Sequence, residues 1–208
     1  MLTSLQIEVQ MFSPAYISEE DAPAKKKILV AALKLFVDRG LCETTVRDIA
    51  EESGYTNPAL FKHFESKEAL ALHLFECCYL ALFQTASHAL AGHERFKQRQ
   101  RAVIEALIHA LHEDRAAVMF AQENLRHFWP RVNPAIRKHS ILALIRKMLE
   151  DGRHEGTVTD EIDIEILTVA WMGTLQQFAR VWYFGDYRKK EAKIADELHA
   201  VLLRAIRA

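Results

Sequence analysis

Residues 45–64 read TVRDIAEESGYTNPALFKHF, and this stretch decides the fold. Thr45 stands three residues ahead of Asp48, the spacing of a capping box that opens a helix. Val46, Ile49 and Ala50 supply the inward face of that helix, and Gly54 accepts the positive φ of a tight turn after it. Thr56 predicts the cap of the next helix. Pro58 is tolerated in the first turn, where the amides have no intrahelical partner. Tyr55 and Leu60 occupy the two staple positions around that cap. Two short helices joined by a glycine turn have helix-turn-helix spacing. Ala50 is small enough for a close crossing, and Ile49 and Leu60 fill the wedge. Asn57, Lys62 and His63 are left to project outward. A helix presented in this way fits the major groove of B-DNA, about 12 Å wide, where Asn and Lys read base edges. An ordinary helical hairpin uses the same caps and turns, so the assignment leans on the flanking segments as well.

Working outward, Ile28, Ala31, Ala32, Leu35 and Phe36 form one helical stripe in a segment that starts at Ala24 and stops at Gly40. Ser66 caps a fourth helix that runs towards Ala91 and ends at Gly92. Five more helices are expected over 95–112, 115–128, 134–151, 163–184 and 188–207. Residues 158–166 partly alternate apolar and polar as a strand would. The longer pattern of Ile164, Leu167, Trp171, Leu175, Phe178 and Trp182 steps by three or four and is helical. Residues 1–23 carry Glu8, Glu19, Glu20 and Asp21 with no Lys or Arg, and are expected to be a flexible acidic tail on which Ile7, Val9, Met11 and Phe12 are the apolar positions. The fold expected is all-α with about nine helices. The boundary between a domain over 24–71 and one over 72–208 falls inside the fourth helix.

Composition agrees with a helical globular chain. Half of the 208 residues are hydrophobic and 26% are charged, which excludes a disordered chain. Glycine and proline number only 7 and 5, so long helices and short turns are expected. The net charge of −1 neither supports nor excludes nucleic acid. Cys42, Cys77 and Cys78 match no disulfide or zinc framework, which suggests a reducing, cytoplasmic setting. No secretory signal is visible, and no uninterrupted apolar run reaches the roughly 18 residues of a membrane span, so no membrane partner is expected.

Over residues 25–71 the chain resembles the tetracycline-repressor family of bacterial transcription regulators. The features that carry the resemblance are Ala31-Ala32, Phe36, Gly40, Thr44-Thr45, Asp48-Ile49-Ala50, Gly54, Phe64, Ser66-Lys67 and Leu70. The resemblance implies an N-terminal three-helix DNA-binding domain and a C-terminal helical domain for ligand binding and dimerisation. It implies no cofactor and no catalytic or metal residues. By position, Asn57, Ala59 and Lys62 are implied to face bases, and Thr45, Arg47, Thr56, His63 and Lys67 phosphates. Lys26, in the run Lys25–Lys27, is a further candidate for phosphate. Phe61 departs from the pattern: the family usually has a tyrosine there, whose hydroxyl contacts phosphate. Residues 24–72 hold eight Lys or Arg against seven Asp or Glu, so a single head should bind weakly. A homodimer links two heads, which multiplies affinity. Two-fold symmetry then predicts a palindromic operator with half-sites roughly 34–36 Å apart.

The helix expected over 163–184 has a second stripe of Ile166, Val169, Ala170 and Gly173, continuing to Gln177, and a helix apolar on two faces must bury both. The last helix has Ile194, Leu198, Val201, Leu202 and Ala205. These two helices are expected to pair with their symmetry mates as a four-helix bundle, or else to serve one subunit's core. Candidates for a pocket are Phe83, Leu107, Leu111, Phe120, Glu123, His127, Ile145, Met148, Trp171 and Phe178, with Val103, Met119, Asn124, Ile141 and Leu144 beside them. The implied ligand is small and hydrophobic, and it releases a repressor from DNA. Two other regulators remain open: an architectural DNA-binding protein without ligand, and a metal or thiol sensor using His73, Cys77 and Cys78 or the Glu105, His109, His112 set. A helical enzyme is disfavoured, since no nucleophilic triad, phosphate loop or paired-carboxylate motif is present.

Overall fold

A computed structural model of the chain describes residues 16–185 and 190–207. Those residues form ten α-helices and one 3₁₀ turn, and contain no named strand. The chain divides into two compact units, Met1–Cys78 and Tyr79–Ala208. The division falls inside helix α4 (Lys67–Ala91), a few residues beyond the position expected from the motif.

The first unit holds α1 (Pro23–Arg39), α2 (Val46–Ser53), α3 (Asn57–Phe61) and the start of α4. Its core is Ile28, Leu29, Ala32, Leu33, Ile49, Leu60, Leu70, Leu74 and Phe75. Helix α1 buries both Leu29 and Leu33 beside the expected stripe, so its apolar face is broader than the simple repeat. The described part of the expected tail, residues 16–22, is structured. Tyr16 is buried, Ser18 to Asp21 form a turn, and the Asp21 carboxylate meets Lys25 at 2.6 Å. Residues 1–15, including Glu8, Ile7, Val9, Met11 and Phe12, lie outside the described residues.

The second unit holds the end of α4, α5 (Phe96–Glu113), α6 (Arg115–Phe128), the 3₁₀ turn Trp129–Arg131, the single turn α7 (Pro134–Arg137), α8 (Ile141–His154), α9 (Ile164–Phe184) and α10 (Glu191–Ile206). Helix α5 is central and packs on α6, α8, α9 and α10. One expected helix is split in two. The sequence pattern predicts one continuous helix over 134–151, but Ser140 opens a fresh helix by accepting a hydrogen bond from the Ala143 amide. Helix α8 then continues through Gly152, where a break was expected. A Cβ there would lie 2.4 Å from the Phe96 ring and 2.7 Å from Val158, so glycine permits close packing. The turn itself is made at Gly156, with φ of +69°. The alternating stretch after it yields one isolated bridge, Val158 to Arg207.

Helix α4 is long and apolar enough to cross a membrane by length and composition, despite its interruptions by His73 and Glu76. Leu70, Ala71, Leu74 and Phe75 are buried in the first unit and Ala86 in the second, while Leu72, Leu80, Leu82 and Phe83 are half-buried.

Candidate nucleic-acid interface and ligand cavity

The first unit presents α3 by a series of local devices. Thr44 is fully buried, and its hydroxyl donates to the Leu35 and Gly40 carbonyls at 3.2 and 2.9 Å, closing the end of α1. Thr45 completes the expected capping box: the Asp48 amide donates to its hydroxyl at 3.2 Å, and the Asp48 carboxylate accepts from the Thr45 amide at 2.8 Å. The Thr45 hydroxyl also donates to that carboxylate at 2.7 Å, and this bond, then the one from the amide, holds the Asp48 carboxyl below its usual range. Gly54 adopts the left-handed conformation, with φ of 73°. Thr56 precedes α3 as expected, but its hydroxyl makes no capping bond. Pro58 in the first turn and the buried Leu60 set this helix in place.

Thr45, Arg47, Thr56, Asn57 and Lys62 are exposed, and Ala59 and His63 are half-buried. The structure brings them onto α2, α3 and their caps. Arg47 pairs with Glu51 at 2.9 Å across the surface. Such an exposed pair is worth about 0–1 kcal/mol, so the Arg47 guanidinium can change partner at little cost. Phe61 is 50% exposed on the same short helix. Two lysines differ. The Lys67 ammonium donates to the Leu41 and Thr44 carbonyls at 2.7 and 2.8 Å, which ties α4 to the turn before α2. The Lys26 ammonium donates to the Glu19 carbonyl at 3.0 Å. Both are half-buried and hold backbone, so their charge is less available than that of Lys62.

The second unit contains a cavity of about 610 Å³. Of the ten residues expected to line it, Leu107, Leu111, Trp171 and Phe178 do so. Phe83, Phe120, Glu123, His127, Ile145 and Met148 are absent from its wall. The reason on α6 is helical phase. Val118, Ala121, Gln122, Leu125 and Arg126 share the cavity face, spaced by three and four residues. Phe120 packs on Phe128 on the other side, Glu123 is exposed, and His127 sits against Phe128 and Arg131. Ile145 and Met148 are fully buried in the core of α8. The ring of Phe83 meets His139, with centroids 4.8 Å apart.

Gln122, Leu125, Arg126, Trp129, Met172 and Gln176 also line the wall, and the sequence pattern does not single them out. Residues 118, 121, 122, 125, 126 and 129 share one helical stripe, but its polar members mask the apolar signal. Tyr79 also lines the wall, and its hydroxyl accepts from the Ile141 amide at 3.0 Å. Burial pushes that phenol up, so it stays protonated. Trp171 is fully buried, and its Nε1 has no hydrogen-bond partner among the described residues.

The candidate sensor residues are also placed. Cys77 Sγ lies 3.8 Å from His73 Nε2. Burial lowers the His73 pKa and raises the Cys77 pKa, which favours neutral imidazole and unreactive thiol. Cys78 is buried. His109 and His112 approach Glu191 at 3.6 and 3.2 Å, and Glu105 pairs with Arg101 instead. Among the described residues no group of three or more His, Cys, Asp or Glu is arranged to hold a metal ion.

Two family models cover most of the described chain. The model described as bacterial regulatory proteins, tetR family, matches residues 28–74. The model described as tetracyclin repressor-like, C-terminal domain, matches residues 93–206. The chain belongs to the tetracycline-repressor family. It is therefore a DNA-binding transcriptional regulator with a helix-turn-helix head. The transcriptional repressor KstR2 of Rhodococcus jostii is 26% identical over 161 residues, 74% of this chain and 76% of that protein. The solved ketosteroid transcriptional regulator KstR2 of Mycobacterium tuberculosis superposes with a TM-score of 0.78 at 22% identity, covering 92% of this chain and 99% of that one. The fatty acid degradation regulator FadR of Bacillus halodurans has a TM-score of 0.73 at 19% identity, covering 89% and 97%. At these identities the structural likeness speaks for the fold.

Proposed function

We propose that the chain is a homodimeric repressor of the cytoplasm, released from a palindromic operator by a hydrophobic ligand. The observation that carries this reading is the pairing of an outward-facing α3 in one unit with an apolar-walled cavity in the other. In the head, Asn57, Ala59 and Lys62 face bases; Thr45, Arg47, Thr56 and His63 face phosphates. Lys67 and Lys26 act chiefly as props for that surface. In the second unit, Leu107, Leu111, Trp171 and Phe178 contact the ligand, joined by Leu125, Trp129 and Met172. Two similar proteins are named as a ketosteroid transcriptional regulator and a fatty acid degradation regulator, and a cavity of about 610 Å³ accommodates a bulky apolar body.

Dimerisation is supported by the second stripe of α9, of which Val169 and Gly173 also border the cavity. Ile166 and Val169 are each 62% exposed, Val181 51% and Phe184 73%, with Val201 of α10 at 56%. An apolar stripe of this extent on a regulator calls for a partner surface, and a second copy provides the same stripe. Helix α4 belongs to both units and is the lever through which ligand acts, by favouring the state with the lower operator affinity.

The test is fluorescence anisotropy on duplex from the gene's own upstream region, with a scrambled control, at about 150 mM salt because phosphate contacts are salt-dependent. A preference of ~10³-fold or more is expected. Near-equal binding to both duplexes would instead identify an architectural protein.

A further inference from the structure

We infer that the cavity takes an apolar-bodied anion, with the Arg126 guanidinium as the anchor for its head group. The inference rests on the reading of the cavity as the ligand site. It starts from charge placement. Between Glu123 and Glu150 the chain has six Lys or Arg and no Asp or Glu, although its net charge is −1. Two of the six are already neutralised: Arg146 pairs with Glu150 and Glu165, and Lys147 with Asp151. Arg126, Arg131, Arg137 and Lys138 have no carboxylate partner among the described residues.

Of these four, Arg126 lies in the cavity wall. The same segment supplies Arg126, Trp129, Pro130, Ser140, Ile141 and Leu142 to the wall. Arg137 is held beside it, donating to the Pro130 and Val132 carbonyls at 2.7 and 3.2 Å. Arg126 is exposed, and among the described wall residues it alone is ionised. Glu123 precedes Arg126 by three residues on α6 and is exposed, but the two form no ion pair.

An uncharged ligand fills the apolar part and gains nothing from this cation. An anion of the same shape adds a charge-assisted hydrogen bond, and the neighbouring cations raise its local concentration. A cationic ligand is repelled. Carboxylate and phosphate heads share this chemistry.

The test uses two dyes with the same rings. 8-Anilinonaphthalene-1-sulfonate carries a sulfonate, and N-phenyl-1-naphthylamine carries none. The full chain is expected to bind the sulfonate dye at least tenfold more tightly, at one site per protomer where the neutral dye competes. Arg126→Met should reduce the preference to within about twofold while leaving neutral-dye affinity unchanged, which also shows that the variant keeps its cavity. Equal affinities in the wild type, or a preference that survives Arg126→Met, would overturn the proposal. Failure of both dyes to bind would instead remove the cavity reading on which it rests. Displacement by palmitate assigns a carboxylate head, and displacement by hexadecyl phosphate alone assigns a phosphate. Equal displacement by hexadecanol would also overturn it.

Discussion

Among the described residues of the first unit, the large apolar side chains exposed to solvent are Val30 and Phe61. In the second they are Leu142, Ile162, Ile166, Val169, Val181, Phe184 and Val201. The head closes its own core with short helices and local caps, and leaves polar side chains outward. The second unit exposes the second stripe of α9 and contains an apolar-walled cavity.

The largest effect expected from this contrast concerns the α9 stripe. Ile166→Glu with Phe184→Glu, both exposed and outside the cavity wall, should halve the mass seen by light scattering and weaken operator binding by about 10²-fold or more, because linkage of the two heads is lost. A dimer that survives would break the contrast. Next, Leu60→Ala in the fully buried head core should cost about 2–5 kcal/mol in denaturant unfolding. Leu107→Ala in the half-buried cavity wall should cost clearly less, since its side chain already faces free volume. Gly152→Ala should cost about 1–3 kcal/mol, because Phe96 and Val158 must move to admit the methyl group. Thr45→Ala should cost about 1 kcal/mol through the lost cap, with the melting temperature as readout.

The smallest effect is a pH dependence that draws on both units. Burial, then the nearby Lys25, lowers the His73 pKa below 6.5; burial, then Arg101, does the same to His199. The native state therefore holds both rings neutral where the unfolded chain protonates them. Their stabilisation is present above pH 6.5 and is lost as pH falls below it towards the folded-state values. The melting temperature should drop between pH 7.5 and 5.5. His73→Gln and His199→Gln should each make that drop shallower.

The head was legible because its determinants are adjacent in the chain. Thr45 and Asp48, Gly54, Pro58 and Ser66 each act on neighbours within four residues, and such spacings are visible without coordinates. Lys67 shows the limit: nothing local reveals that its ammonium reaches the Leu41 and Thr44 carbonyls more than twenty residues away. The cavity was less legible. Leu107, Leu111, Trp171 and Phe178 stood out as large apolar residues, but so did Phe120, Ile145 and Met148, which the core consumes. Arg126 and Gln122 were overlooked because polar side chains on a helix look the same whether they face water or a cavity mouth.

Sequence alone determined the helical class, the helix-turn-helix and the family, because periodicity, caps and glycine turns are short-range constraints. Only the tertiary structure decided where the helix over 134–151 breaks, why residue 152 must be glycine, and which face of α6 borders the cavity. The physical reason is that packing joins residues far apart in the chain. A helix carries its own hydrogen bonds, but the choice between its two apolar faces belongs to its neighbours.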